Sequence, residues 1–177
     1  MKPLSTLLRF LNLFACAVLC GGLIMTVAAL RPGLAGLPLS TAVPAQQLVV
    51  QRATWYMPFC GAFAALSAVF LLKRQAVTKE AARFYRAGLM CMIFTGLSSI
   101  YVGAVLDKEI RDWRVYILAA GRTARVSLAD PEVPAGHRLL VWNRWGAVNA
   151  ARTVASTMAL ACFIMANVQP RVLAPDA

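Results

Sequence analysis

Residues 142–168 read WNRWGAVNAARTVASTMALACFIMANV and predict a membrane helix that carries polar side chains on one face. Between Trp145 and Val168 the only charged residue is Arg152, and ~20 predominantly apolar residues are enough to cross a bilayer. At ~100° per residue, five side chains fall in one quadrant of this helix: Trp142, Trp145, Asn149, Arg152 and Ser156. A polar and aromatic stripe therefore enters the membrane where the helix begins.

The depth of Arg152 makes this stripe a candidate site. If the hydrocarbon begins near Trp145, a rise of ~1.5 Å per residue places Arg152 about 10 Å inside it. An arginine at that depth is expected to face protein or a ligand. The alternative is that its long side chain extends back to the interface beside the tryptophans.

Composition predicts the class of protein. Hydrophobic residues make up 60 % of the 177 residues and charged residues 14 %, which indicates an integral membrane protein. Four runs are long enough to span, at about 10–30, 55–72, 87–106 and 146–168. We predict an all-α fold with a single domain over residues 1–177, an antiparallel bundle of four transmembrane helices with a loop at about 107–145.

Basic residues lie beside the spans, and their distribution predicts the orientation. The connection after the second span holds five positive charges and one acid: Lys73, Arg74, Lys79, Arg83 and Arg86 against Glu80. By the positive-inside rule this connection and both termini are cytoplasmic, and the 107–145 loop lies outside. We expect a bacterial inner membrane. The net charge of +11 reflects topology and attraction to anionic lipid, so the bilayer, and not nucleic acid, is the predicted partner.

Cysteine and histidine usage gives no sign of a metal site. All five cysteines lie within the spans and form no CxxC pair, and the spans contain no histidine. Disulfides and zinc are therefore not predicted. We expect no metal, haem or other cofactor.

The predicted topology gathers polar and aromatic residues at the outer ends of three helices. They are Arg52, Trp55 and Tyr56 in the second span, Tyr101 and Asp107 in the third, and Trp145, Asn149 and Arg152 in the fourth. Trp55 and Tyr56 have an alternative interpretation as ordinary interfacial belt residues.

A glycine face on the third helix predicts where Asp107 points. Gly96, Gly103 and Asp107 share this face, and glycines mark faces that pack closely on a neighbouring helix. Asp107 is therefore expected to point inward. Consecutive antiparallel helices should bring Asp107 and Arg152 together, directly or through a ligand.

Sparse motifs extend over most of the chain: Gly21-Gly22, Arg31-Pro32, residues 51–58 (QRATWYMP), residues 110–113 (IRDW), and Trp145, Asn149, Arg152 and Thr153. Together they resemble the anthrone oxygenase-like family of small four-helix membrane proteins. The resemblance implies oxidation of an anthrone to an anthraquinone by O2 without metal or flavin. Two departures from the family pattern are Asp107, where asparagine is expected, and the single histidine, His137.

That reaction needs a base to remove a carbon proton and a group to stabilise the enolate. Asp107 or His137 is the candidate base, His137 being placed in the outer loop, and Arg152 with Asn149 is the candidate stabiliser. The candidate substrate-binding residues, which include flat walls for a polycyclic ring, are Arg52, Trp55, Tyr56, Tyr101 and Trp145.

The alternative function is that of a non-catalytic accessory subunit in a larger membrane complex. The stripe would then bind a lipid, a quinone or a partner helix. The partners would be other membrane subunits or further copies of this chain.

Overall fold

The computed structural model describes residues 2–37, 39–74, 78–110 and 135–169, which are almost entirely helical. The elements are α1 (Lys2–Met25), a wide turn at Thr26–Leu30, α2 (Arg31–Ala35), α3 (Leu39–Arg74), α4 (Lys79–Tyr101), a second wide turn at Val102–Leu106 and α5 (Ala135–Val168). Among the described residues, four segments are long and apolar enough to cross a membrane: Leu4–Ala35, Trp55–Lys73, Lys79–Ile110 and Leu139–Val168. The predicted all-α membrane fold is confirmed, and each predicted span falls within one of these segments.

The four long helices form a bundle with one loose side. α1 packs against α3 and α5, and α4 packs most extensively on α5, whereas α3 and α4 make the weakest of these contacts. α4 and α5 run antiparallel, because Asp107 contacts Trp145 at one end and Tyr85 contacts Asn167 at the other. We call these the Asp107 end and the Tyr85 end of the bundle.

Each part of the bundle has its own buried cluster. Near the Tyr85 end, Tyr85 and Phe163 pack with small residues of α1 and α3. At the Asp107 end, Trp142 and Trp145 pack with Ile110. Buried hydrogen bonds join the helices as well, since the Asn12 amide donates to the Ala64 carbonyl at 2.7 Å. A buried donor in a membrane must find such a partner within the protein.

Two helices are longer than the hydropathy predicts. The chain remains helical to residue 110 after the second wide turn, and α5 begins at Ala135 and not near Gly146. The predicted 107–145 loop is therefore helical at both of its ends. The reason is that Val141 and Trp142 stay buried outside the apolar run, so one helix face keeps its packing after hydropathy falls. Residues 111–134 of that loop lie outside the described residues.

The two wide turns lie at the Asp107 end. In each, an N–H bonds to the carbonyl five residues earlier: Arg31 to Thr26, and Asp107 to Val102. Such a turn holds an extra residue, so the residues that follow are rotated relative to an uninterrupted helix. The second turn therefore helps to set the face on which Asp107 lies.

Candidate functional site

A chain of hydrogen bonds joins Asp107 to Arg152 across the α4–α5 interface. The Trp145 indole Nε1 donates to Asp107 Oδ1 at 3.1 Å. One turn further along α5, the Asn149 Nδ2 donates to the Trp145 carbonyl at 2.8 Å. Arg152 Nη1 then donates to Asn149 Oδ1 at 3.2 Å. Because each donor is held by its neighbour, the carboxylate and the guanidinium have defined positions.

The whole chain is buried. Arg152 is 9 % exposed, and Asp107, Trp145 and Asn149 are less so. Trp145 is fixed further by stacking on Trp142, with 5.6 Å between ring centroids. The sequence prediction that the stripe on this helix faces protein is confirmed, because the Arg152 side chain is buried and its Nη1 contacts Asn149 on the same helix.

Arg152 keeps donor capacity for a ligand. Its Nε is buried and has no hydrogen-bond partner among the described residues. Asp107 lies within electrostatic range of the guanidinium. A buried guanidinium with an unused donor is costly unless something else accepts that hydrogen bond. An oxygen-bearing ligand would do so.

A cavity of about 510 Å³ lies on the loose side of the bundle, between α3 and α4. Asp107, Trp145, Asn149 and Arg152 all border it. Towards the Tyr85 end it reaches Leu19, Gly61 and Met92. These four of the predicted site residues therefore border one cavity, and its volume is typical of small-molecule sites.

The cavity is open on the side that faces the membrane. Ile93 and Ile100 border it, yet they are 52 % and 67 % exposed on the outer surface of the bundle. Both lie in the segment Lys79–Ile110, which can cross the membrane. The outer surface of such a segment meets lipid, so the opening between α3 and α4 faces the bilayer.

Gly96 of α4 and Gly103 of the second wide turn widen the cavity. A Cβ placed on Gly96 or Gly103 would meet nothing within 4 Å, so the prediction that these glycines pack closely on a neighbour was wrong. The close approach in α4 occurs at Gly88, where a Cβ would lie 2.5 Å from the Phe163 ring. The expectation that Asp107 points inward nevertheless holds.

Polar groups available to a ligand are concentrated at the Asp107 end. Among the described side chains, three further hydroxyl groups border the cavity, and each donates to a carbonyl of the preceding turn: Thr26 to Gly22 at 2.9 Å, Thr95 to Cys91 at 2.9 Å and Ser99 to Thr95 at 2.5 Å. With those protons used, the middle of the cavity is effectively apolar. Within the described ranges, no three His, Cys, Asp or Glu side chains are grouped as metal ligands would be.

Four of the predicted substrate-binding residues do not border the cavity. Trp55 is 75 % exposed, and Arg52, Tyr56 and Tyr101 are exposed as well. The Tyr56 hydroxyl lies beside Gly22 of α1. Their exposure fits the interfacial belt, the alternative that the sequence left open for Trp55 and Tyr56.

His137 lies on a helix and away from the cavity. It is in the first turns of α5, about half exposed, and its Nε2 is 2.6 Å from Glu109 Oε1. This contact joins the ends of α4 and α5. Of the two candidate bases, Asp107 is the one that borders the cavity.

The sequence reasoning missed further buried polar groups at the Asp107 end. Gln46 and Gln47 are buried, and Gln47 Nε2 donates to the Ile110 carbonyl at 3.0 Å. The Arg31 guanidinium lies where a side chain at residue 146 would begin, so Gly146 leaves room for it. A signal for the glutamines was present in the sequence, since Gln46 and Gln47 lie in a helix that continues into an apolar span.

Comparisons with protein-family models, with curated proteins and with solved structures find no match for this chain. The geometry of the cavity is therefore the main support for a functional proposal.

Proposed function

We propose that this chain is a membrane-embedded oxygenase that oxidises a polycyclic phenolic ketone of the anthrone type with O2 and without a metal or flavin. One observation carries the proposal: a buried carboxylate and a buried guanidinium border the same apolar cavity, which is open towards the bilayer. A base beside a cation in a water-poor site suits the formation and stabilisation of an enolate.

In the proposed reaction Asp107 removes one proton from the CH2 group opposite the ketone. The electron pair of that C–H bond passes into the ring system, and the ketone oxygen becomes an enolate oxygen. Arg152 stabilises this oxygen because its guanidinium has donor capacity left. Asn149 acts as a positioning residue, since its amide oxygen accepts from Arg152 and its amide nitrogen donates to Trp145.

O2 then adds to the deprotonated carbon and, with one proton, gives a hydroperoxide. The second C–H proton is removed, the O–O bond breaks, and one oxygen leaves as water while the other becomes the new ketone. The carbon loses four electrons and O2 gains four, so the products are one quinone and one water. No further reductant is needed.

The test is oxygen uptake by the purified protein in mild detergent with a panel of hydroxylated anthrones. We expect uptake that matches quinone formation one to one. Asp107→Asn and Arg152→Gln should each reduce the rate by roughly 10²-fold or more, as loss of a base or of charge stabilisation does. Arg86→Gln is the matched control, because Arg86 is an exposed arginine at the Tyr85 end.

The same preparation tests the accessory-subunit alternative. Stable protein that consumes no oxygen with any anthrone, and that is always purified with other chains, would contradict the oxygenase proposal. Stable isolated protein with uptake abolished in Asp107→Asn would support it.

We further propose that the chain resides in a bacterial inner membrane with both termini in the cytoplasm and the Asp107 end outside. The basic connection around Lys79 supports this orientation. In intact cells a membrane-impermeant thiol reagent should label Gly136→Cys and leave Lys79→Cys unlabelled, both positions being exposed. The reverse pattern would contradict the orientation, and labelling of both after cell lysis is the control.

A further inference from the structure

The cavity is much longer than the site at its Asp107 end. Along α4 and the wide turn after it, the lining extends from Met92 to Asp107, which is roughly 20 Å along the helix axis at ~1.5 Å per residue. The polar groups occupy the first part of that length. Beyond Gly103 it continues past Gly96 to Met92 for about 15 Å, where Leu19 and Met92 are buried and close the far end.

The lining of the cavity is polar towards the Asp107 end and apolar over the rest of its length. Arg152, nine-tenths buried and with an unpartnered Nε, borders the polar part. In the apolar part, the protons of Thr95 and Ser99 are used within α4. A fused three-ring molecule alone would leave the apolar part empty, and an empty apolar volume loses dispersion contacts.

We propose that the cavity binds a single-tailed amphiphile taken from the lipid phase. Its oxygen-bearing aromatic head lies between Asp107 and Arg152, and its hydrocarbon tail extends past Gly96 to Met92. This deepens the proposed function, on which it rests for the chemistry of the head: the substrate is a phenolic ring compound with a hydrocarbon chain. The exposed edges at Ile93 and Ile100 are the entrance.

Transfer of a tail from lipid to this cavity gains little from the hydrophobic effect, because lipid chains are equally apolar. Binding is therefore determined by the head group at Arg152 and by the fit of the tail. A test must consequently locate the tail and not only measure affinity.

The probe is a phenol with a chain of about twelve carbons, matched to the ~15 Å beyond Gly103, and a diazirine at the chain end. After illumination in nanodiscs, we expect labelling of residues near Gly61 and Met92. An excess of the same phenol without diazirine should remove this label. Leu97, which is exposed on α4 and does not border the cavity, should carry only label that is not competed.

Variants at three glycines provide matched controls, because a Cβ at each would meet nothing within 4 Å. Gly96→Leu fills the tail region and should reduce the competed label by roughly tenfold through overpacking. Gly103→Leu should do the same at the head. Gly21→Leu adds the same side chain on α1 outside the cavity and should change nothing.

Label that is equal on Leu97 and Met92, or that Gly96→Leu leaves unchanged, would overturn the proposal. If a variant does not fold, the comparison of label on Met92 and Leu97 in the unmodified protein still tests the proposal. The phenol has no CH2 group between ring systems to oxidise, so labelling is independent of catalysis. Label that the excess phenol displaces, in a protein that does not oxidise anthrones, would contradict the proposed function but not the tail site. Anthrone oxidation without any displaceable label would contradict the tail site but not the proposed function.

Discussion

Arg152→Ala is expected to lower the free energy of unfolding by ~3 to 5 kcal/mol, as removal of one partner from a buried charge pair does. Asp107→Ala is expected to have an effect of similar size, because it leaves the Arg152 charge buried without the opposite charge nearby. Asp107→Asn should be milder, since an amide oxygen can still accept from Trp145 Nε1. Unfolding in mixed micelles of mild detergent and SDS measures all three.

The decisive form of this experiment is a double-mutant cycle with alanine at both positions. Because a hydrogen-bond chain through Trp145 and Asn149 connects the two residues, the double variant should lose ~1 to 3 kcal/mol less than the sum of the single losses. Arg86→Ala, an exposed arginine, should change stability by under about 1 kcal/mol. Additive losses at Asp107 and Arg152 would show that the two groups do not communicate.

The sequence predicted the parts of this site that depend on one helix. Spacing of ~100° per residue was enough to place Trp145, Asn149 and Arg152 on one face. The apolar length of the runs was enough to predict the four spans. Both inferences need only the local geometry of a helix, which the structure retains.

The sequence could not predict which pair of helices would separate. A glycine looks the same in a sequence whether a neighbouring helix packs on it, as at Gly88, or leaves it open, as at Gly96. Similarly, Trp55 could line a site or face lipid, and the rotation of α3 decides this. These outcomes depend on contacts between helices, for which the printed residues of one helix carry no signal.

Replacement of Trp145 should have an effect as large as that of Arg152. Trp145 is 1 % exposed, and truncation of such a ring typically costs ~3 to 5 kcal/mol. Trp145→Ala should therefore destabilise the bundle severely, whereas Trp55→Ala, which removes a ring that is 75 % exposed, should stay within ~0.5 kcal/mol. The same unfolding measurement in mixed micelles compares the two tryptophans directly.

Trp145→Phe separates the hydrogen bond from the packing. Phenylalanine keeps a ring beside Trp142 but lacks the N–H that donates to Asp107 Oδ1, so a buried carboxylate loses a donor at ~1 to 3 kcal/mol. In an Asp107→Leu background no carboxylate remains, and the same substitution should have a much smaller effect. An equal loss in both backgrounds would mean that Trp145 stabilises the bundle by packing alone. Asp107 would then be held in the cavity by its other contacts, and the indole would have no part in positioning the base.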